Sequence, residues 1–153
     1  MKKAVSALDV PPRSVPSVYP EPFKSRMNNR VKRQLGNAFG ITKFGVNLTE
    51  LKPGGESALL HKHTKQEEFI YVVSGRPTLV LEREELELAP GMCAGFTPHG
   101  SAHQLVNRTN ESVWYLEVGD REAGDEGVYP NDDLVAKMES GVWVFTHKDG
   151  RPY

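Results

Sequence analysis

The sequence predicts an all-β domain, a sandwich or barrel of short strands, on three observations. From residue 44 onward, short apolar segments follow one another at close and regular intervals. Most of these segments are rich in β-branched or aromatic residues, and Gly, Pro, Asn or Ser bounds nearly all of them. Helical periodicity between them is almost absent.

Taken in order, residues 1–23 hold Pro11, Pro12, Pro16, Pro20 and Pro22. Proline lacks the backbone donor and the φ freedom that a helix or central strand requires, so residues 1–40 are expected to form an extended N-terminal arm. A basic stretch, Lys24, Arg26, Arg30, Lys32 and Arg33, falls within it. That stretch reads either as a solvated face or as a grip on an anionic substrate or a neighbouring subunit.

FGVNLTEL (44–51) alternates apolar and polar positions as a half-buried strand does, and stops at the turn Lys52-Pro53-Gly54-Gly55. SALLHKH (57–63), EFIYVVSG (68–75), PTLVLE (77–82), ELELAPG (85–91), MCAGF (92–96), HQLVNRT (103–109) and SVWYLEVG (112–119) follow. Residues 41–120 are therefore expected to form the β-domain. Residues 121–153 read as an extension packed on that domain or on a partner subunit: an acidic, irregular run with Asp120, Glu122, Asp125, Glu126, Asp132 and Asp133 about it, then one strand-like piece, GVWVFTH (141–147).

A chain of 153 residues suits one domain, and a formal net charge of −1 gives no global field toward nucleic acid or a membrane surface. No helix-turn-helix pattern is visible, and no apolar run has the length of a signal peptide or a membrane-spanning helix. The cytoplasm is the expected location. On that expectation the Asn-x-Ser/Thr matches at Asn47, Asn107 and Asn110 carry no meaning as glycosylation sites. The single cysteine, Cys93, excludes an intrachain disulfide and a Cys-based zinc site.

Chemistry concentrates in HKHTKQEEF (61–69). Alternate side chains of a strand share a face, so His61 and His63 point the same way. Two imidazoles that close must share a proton, hydrogen-bond or bind a metal, because two charged ones repel. A turn over Thr64–Gln66 leads into the next strand, and either Glu67 or Glu68 is in reach of the histidines. Two His and a carboxylate form a common ligand set for Fe, Mn, Zn or Ni. Of the five histidines, a third, His103, opens a later strand, with Asn107 on the same face.

Gly55-x5-His61-x-His63-x4-Glu68-x6-Gly75 resembles the first motif of the cupin superfamily, and Gly91-x6-Pro98-x-Gly100-x2-His103-x3-Asn107 resembles the second. One extra residue between Gly91 and Pro98 is the departure. The match selects Glu68 over Glu67, and implies a double-stranded β-helix, the jelly-roll barrel, with His61, His63, Glu68 and His103 as ligands of one divalent metal ion. Gly75, Gly91 and Gly100 are expected to give the backbone freedom that the turns need, and Asn107 to tie neighbouring strands. The segments FGVNLTELKPGG, YLEVGDR and HKDGRPY resemble a group of small single-domain bacterial cupins that are often labelled sugar-phosphate-isomerase-like.

The resemblance implies a metal-dependent enzyme, isomerase-like or dioxygenase-like, acting on a small polar metabolite. A non-catalytic metal- and ligand-binding sensor or storage protein is the alternative. No general base stands out: alternation turns Glu67 and Tyr71 outward, His99 is placed at the barrel mouth or on an exposed loop, and His147 on the surface or at an interface. Leu59, Ile70, Val72 and Leu105, with Phe96 and Trp114, are expected to line the interior, and Lys62, Lys65, Arg76 and Arg108 are the nearest cations for a phosphate. The arm and the exposed strand edges call for cover, so a homodimer is expected.

Overall fold

In the computed structural model, which describes residues 3–15 and 17–153, the chain folds as two layers of antiparallel sheet. Met1, Lys2 and Pro16 of the proline-rich stretch lie outside the described residues. The larger sheet has five strands: β1 (Arg30–Gln34), β2 (Phe44–Leu51), β4 (Glu68–Ser74), β7 (Cys93–Phe96) and β9 (Val113–Asp120). Their spatial order is β1-β2-β9-β4-β7.

Two smaller sheets complete the structure. One orders β12 (Val142–Thr146), β11 (Val135–Glu139), β10 (Glu126–Val128) and β3 (Lys62–His63), and the other orders β6 (Glu85–Glu87), β5 (Thr78–Leu81) and β8 (His103–Val106). His61 and His103 pair as an isolated bridge, with His61 N donating to His103 O at 3.2 Å and His103 N to His61 O at 2.8 Å. That bridge joins the two smaller sheets where β3 and β8 meet. The result is the all-β jelly-roll barrel expected from the strand pattern.

The core lies between the layers because the inward positions of both are apolar. Leu51, Ile70, Val72, Val113 and Tyr115 of the large sheet pack on Leu79 and Leu105 of the facing one and on Leu88 just after β6. Val72 and Val113 are fully buried, each contributing about 1.5–3 kcal/mol. A second cluster joins Phe23 and Met27 to Leu59, Tyr129, Leu134 and Ala136, which fastens the N-terminal segment to the β10–β12 sheet.

Three segments differ from the strand pattern read along the chain. SALLHKH is mostly bends, with strand pairing confined to its histidine end. RVKRQ forms β1, an edge strand that pairs with β2 from Arg30↔Leu51 to Gln34↔Asn47. The acidic run after Asp120 contains β10 and β11. β1 escapes the hydrophobic test because its side chains, apart from Val31, are polar.

Upstream of β1 the chain follows that strand. Arg13 N donates to Lys32 O at 2.8 Å, Pro12 bridges Arg33, and Arg33 Nη1 donates to Val10 O at 2.6 Å. Among the described residues no helix is long and apolar enough to cross a membrane.

Gly75 has φ +80°, and an added Cβ would meet Val113 Cα at 2.9 Å and Ser112 O at 3.0 Å. Only glycine fits the turn after β4 on both counts. Gly100 departs from the expected role: it is not among the positive-φ glycines, and its constraint is steric, a Cβ lying 3.0 Å from Thr97 O. Positive φ falls instead on its neighbour His99, at 61°. Asn107, fully buried, donates from Nδ2 to Leu51 O (2.8 Å) and Glu111 O (2.7 Å) and accepts at Oδ1 from Thr109 N (3.0 Å) and Oγ1 (2.7 Å). Every bonding position of its amide is used.

Candidate metal centre

His61 and His63 reach the site from the segment that ends in β3, Glu68 from the first position of β4, and His103 from the first position of β8. Glu68 Oε2 lies 2.8 Å from His103 Nε2 and 3.4 Å from both His61 Nε2 and His63 Nε2. Donor atoms of His61, His63 and Glu68 all fall within 4.8 Å of one another. The four residues selected by the two motifs therefore converge on one point. Glu67 is exposed and points away.

Each imidazole is fixed through its other nitrogen. His61 Nδ1 donates to Leu59 O at 2.9 Å, His103 Nδ1 to Ser101 O at 3.3 Å, and His63 Nδ1 to Asp125 Oδ2 at 2.5 Å. With the proton on Nδ1, each Nε2 would be free to face a bound ion, the tautomer that metal ligation requires. Phe96 stacks on the His103 ring at a centroid distance of 3.6 Å and 3° between planes, which restricts its rotation. The donor set and its outer hydrogen bonds fit a divalent ion: three neutral imidazoles and one carboxylate.

Electrostatics agree with the geometry. Burial alone would raise the Glu68 pKa, but hydrogen bonds from His103, His61 and His63 outweigh it and hold the group well below the usual carboxylate range. Burial disfavours charge on His63, yet the hydrogen bonds and charges of Glu68 and Asp125 raise its pKa to about 9 in the metal-free protein. Glu68 and Asp125 thus favour positive charge at His63.

Asp125 is the residue that sequence reasoning missed. Its side chain is completely buried, and Oδ1 accepts from Thr64 N (3.1 Å), Lys65 N (2.8 Å) and Gln66 N (3.2 Å). One carboxylate thus closes the turn after His63 and orients the ring of His63. Burial works to raise its pKa, and His63 together with these backbone donors lowers it. Its position in an acidic run concealed it, because its neighbours there are solvated.

The four residues open on a cavity of about 280 Å³. Ile70, Leu105 and Phe96 line it as expected; Leu59 and Val72 are buried in the two core clusters instead, and Trp114 lies on the other face of β9 from Val113 and Tyr115. Trp143 lines the cavity beside His63, with ring centroids 6.1 Å apart.

The four cations expected near a phosphate do not line this cavity. Lys62 pairs with Glu82, Arg76 with Glu87 and Arg108 with Glu85, while Lys65 Nζ donates to Ala123 O. His99 is exposed and borders a separate surface depression, and His147 Nδ1 donates to Asp133 Oδ2 at 2.8 Å far along the chain. In place of those cations the wall carries Arg13, Arg30 and Lys32, with Glu117 and Tyr115 from β9 and Tyr19 and Tyr129 nearer the histidines.

Lys32 Nζ pairs with Glu117 Oε1, which also accepts from Asn47 Nδ2 at 3.0 Å, and Tyr115 OH donates to Glu117 Oε2 at 3.1 Å. Burial, then the charge of Glu117, pushes the Tyr115 hydroxyl well above the usual phenol range, so it stays a donor.

Comparison with known proteins agrees with the barrel and its motifs. Residues 47–119 match the family model of the cupin domain. A solved structure from Silicibacter pomeroyi, described as a sugar phosphate isomerase from a cupin superfamily, is 36% identical with a TM-score of 0.92 over 98% of this chain and 96% of that one. A proposed sugar phosphate isomerase from Acidithiobacillus ferrooxidans is 34% identical, with a TM-score of 0.74 over 81% and 80%. The polyketide cyclase RemF from Streptomyces resistomycificus is 26% identical, with a TM-score of 0.62 over 80% and 81%. No curated protein matches the sequence.

Proposed function

Because this chain belongs to the cupin family, we propose that it is a divalent-metal-dependent enzyme acting on a small polar metabolite, with an isomerase-type reaction. The observation that carries this reading is the convergence of three Nδ1-anchored imidazoles and Glu68 on an open cavity. A purely structural barrel has no use for such a set in its interior. His61, His63, Glu68 and His103 would hold the ion, one of Fe, Mn, Zn or Ni, and when bound it supplies Lewis acidity toward a substrate oxygen.

The rest of the chemistry falls to the chain. Glu117 is the one carboxylate besides Glu68 among the described lining residues. Its place on the wall suits it to accept a proton from the carbon next to a carbonyl and return it to the neighbouring carbon. Tyr115 and Lys32 hold it in position, and the half-apolar lining of Ile70, Phe96 and Leu105 limits water around the reacting carbons. Such a shift needs no external oxidant or reductant. The descriptions of the Silicibacter and Acidithiobacillus proteins support it over a dioxygenase-type reaction.

The test has two stages. Metal analysis of the purified protein is expected to find about one divalent ion per chain, and incubation with aldoses and ketoses in D2O is expected to place deuterium on carbon. Activity that persists in His103→Ala would sink the metalloenzyme reading. Oxygen consumption without deuterium incorporation would replace the isomerase with a dioxygenase. Ligand-dependent thermal stabilisation with no product would identify a sensor or storage protein.

The same proposal includes a homodimer in the cytoplasm. Phe69, Tyr71 and Val73 leave an apolar stripe on the outer face of β4, each more than 40% exposed, which a second subunit would cover. A monomeric mass in solution at micromolar concentration would refute the dimer.

A further inference from the structure

Among the described residues that line the cavity, Lys32 is the one lysine. In register it lies opposite Thr49 of β2, which lies opposite Tyr115 of β9, and both of these are buried. Lys32 therefore stands on the inner face of β1. Its Nζ pairs with Glu117 Oε1 on β9, a strand two spacings, or about 10 Å, away across β2. Thr49 is short enough for the lysine stem to pass over it. The amine thus ends over β2, inside the barrel, and the side chain is only 17% exposed. On an edge strand a lysine ordinarily carries its head out to water. Lys32 carries it inward, to the one wall carboxylate besides Glu68.

The surroundings weaken its charge. Burial holds the Lys32 ammonium below the usual lysine range; Glu117 opposes this, and the guanidinium groups of Arg30 and Arg13 add to it. Desolvation and neighbouring cations are the two conditions that make a lysine amine nucleophilic. Glu117 stands where it can take the proton, with Oε1 also held by Asn47 Nδ2 at 3.0 Å and Oε2 by Tyr115 OH at 3.1 Å. Ile70, Leu79 and Leu105 give the cavity an apolar side, which favours a step that expels water.

We propose that Lys32 is a nucleophilic amine that forms an imine with a small aldehyde or ketone in the cavity, with Glu117 carrying the protons. Nζ first gives a proton to Glu117. Its lone pair then attacks the carbonyl carbon: a C–N bond forms, the carbonyl π bond breaks, and the oxygen takes the proton from Glu117. The nitrogen releases a second proton to Glu117, which passes it to the new hydroxyl, so that water leaves and a protonated imine remains. One ammonium and one carbonyl compound give one protonated imine and one water, with no oxidant or reductant. The imine draws electrons from the adjoining carbon, as a Lewis acid on a carbonyl oxygen does. This role of Lys32 reaches beyond the metal-dependent reading and does not rest on it.

Incubation of the full-length protein with hydroxyacetone and sodium cyanoborohydride near neutral pH, followed by peptide mass mapping, tests it. The reductant fixes the imine as a secondary amine. Lys32 is expected to carry the label at least about tenfold over any other lysine, and Glu117→Gln to slow its labelling about tenfold. Lys32→Arg should lose that label and keep the rest; if the variant does not fold, the wild-type map decides alone. Chelator-treated wild type and His103→Ala, both checked by circular dichroism, should label as the untreated wild type does. A label spread evenly over the surface lysines, an unchanged rate in Glu117→Gln, or loss of the label in His103→Ala would each overturn the proposal. Labelling of Lys32 in a wild type that binds no metal would sink the metalloenzyme reading alone, and bound metal without labelling would sink the imine alone.

Discussion

Asp125 accepts the Nδ1 hydrogen of His63 at 2.5 Å while its other oxygen receives three successive backbone N–H groups of the turn that follows His63. One buried carboxylate thus holds both the ring of His63 and the path of the chain between β3 and β4. Replacing it tests the centre without touching a ligand.

Asp125→Asn is expected to weaken metal binding by about 10–100-fold. The asparagine oxygen can still accept from the turn, but its amide nitrogen then faces His63 Nδ1, donor against donor. His63 relieves that conflict by moving its proton to Nε2, which removes the lone pair from the centre. Competition with a metal-binding dye measures the change; an unaltered affinity with an intact fold would show that Asp125 serves the turn alone.

Chelation is expected to lower the melting temperature of the wild type and to leave that of His103→Ala unchanged. Ligand binding stabilises the folded state by about 2.7 kcal/mol at a hundredfold excess over Kd, so a scan with and without chelator resolves it. His103→Ala also removes the stacked partner of Phe96, so its starting value should already be lower. Equal responses of the two proteins to chelator would place the metal elsewhere.

Asn107→Asp keeps the shape of the side chain and reverses half of its bonding. The carbonyls of Leu51 and Glu111 would then face a buried carboxylate instead of an amide donor. A loss of about 3 kcal/mol or more is expected in urea unfolding, because a buried charge loses its compensation. Wild-type stability would mean that the loop rearranges to supply other donors.

Gly75→Ala is expected to destabilise the fold by about 1–3 kcal/mol, since the added Cβ meets backbone atoms of the Ser112–Val113 segment and the turn has positive φ. Metal affinity of the folded fraction should be unchanged, because Gly75 lies at the far end of β4 from Glu68. A drop in metal per folded chain would link the turn to the site.

The four clustered residues were legible in the sequence because their spacing is forced. His61 and His63 must share a face, Glu68 must open the next strand, and His103 must sit across from His61 in the bridge that joins the smaller sheets. The rest of the cavity was not legible by the same logic. β1 carries Arg30 and Lys32 where a buried strand would carry valines, because that face borders the cavity, and Arg33 on the other face holds Val10 O, so hydrophobic alternation gives no signal. Lys62, Lys65, Arg76 and Arg108 are near the motifs along the chain and do not line the cavity. Lys32 is distant along the chain, and the order β1-β2-β9-β4 brings it to Glu117.

The segment carrying Arg13 and Tyr19 runs outside the barrel strands yet supplies part of the cavity wall. That division leaves the two parts of the wall on separate supports. The barrel holds the histidine–glutamate cluster through strands whose register cannot slip without displacing one of its members, whereas the leading segment is held by backbone bonds along one edge and by Tyr19, Phe23 and Met27 packed on the β10–β12 sheet. Substitutions there would reshape the cavity wall while the histidine–glutamate cluster keeps its geometry.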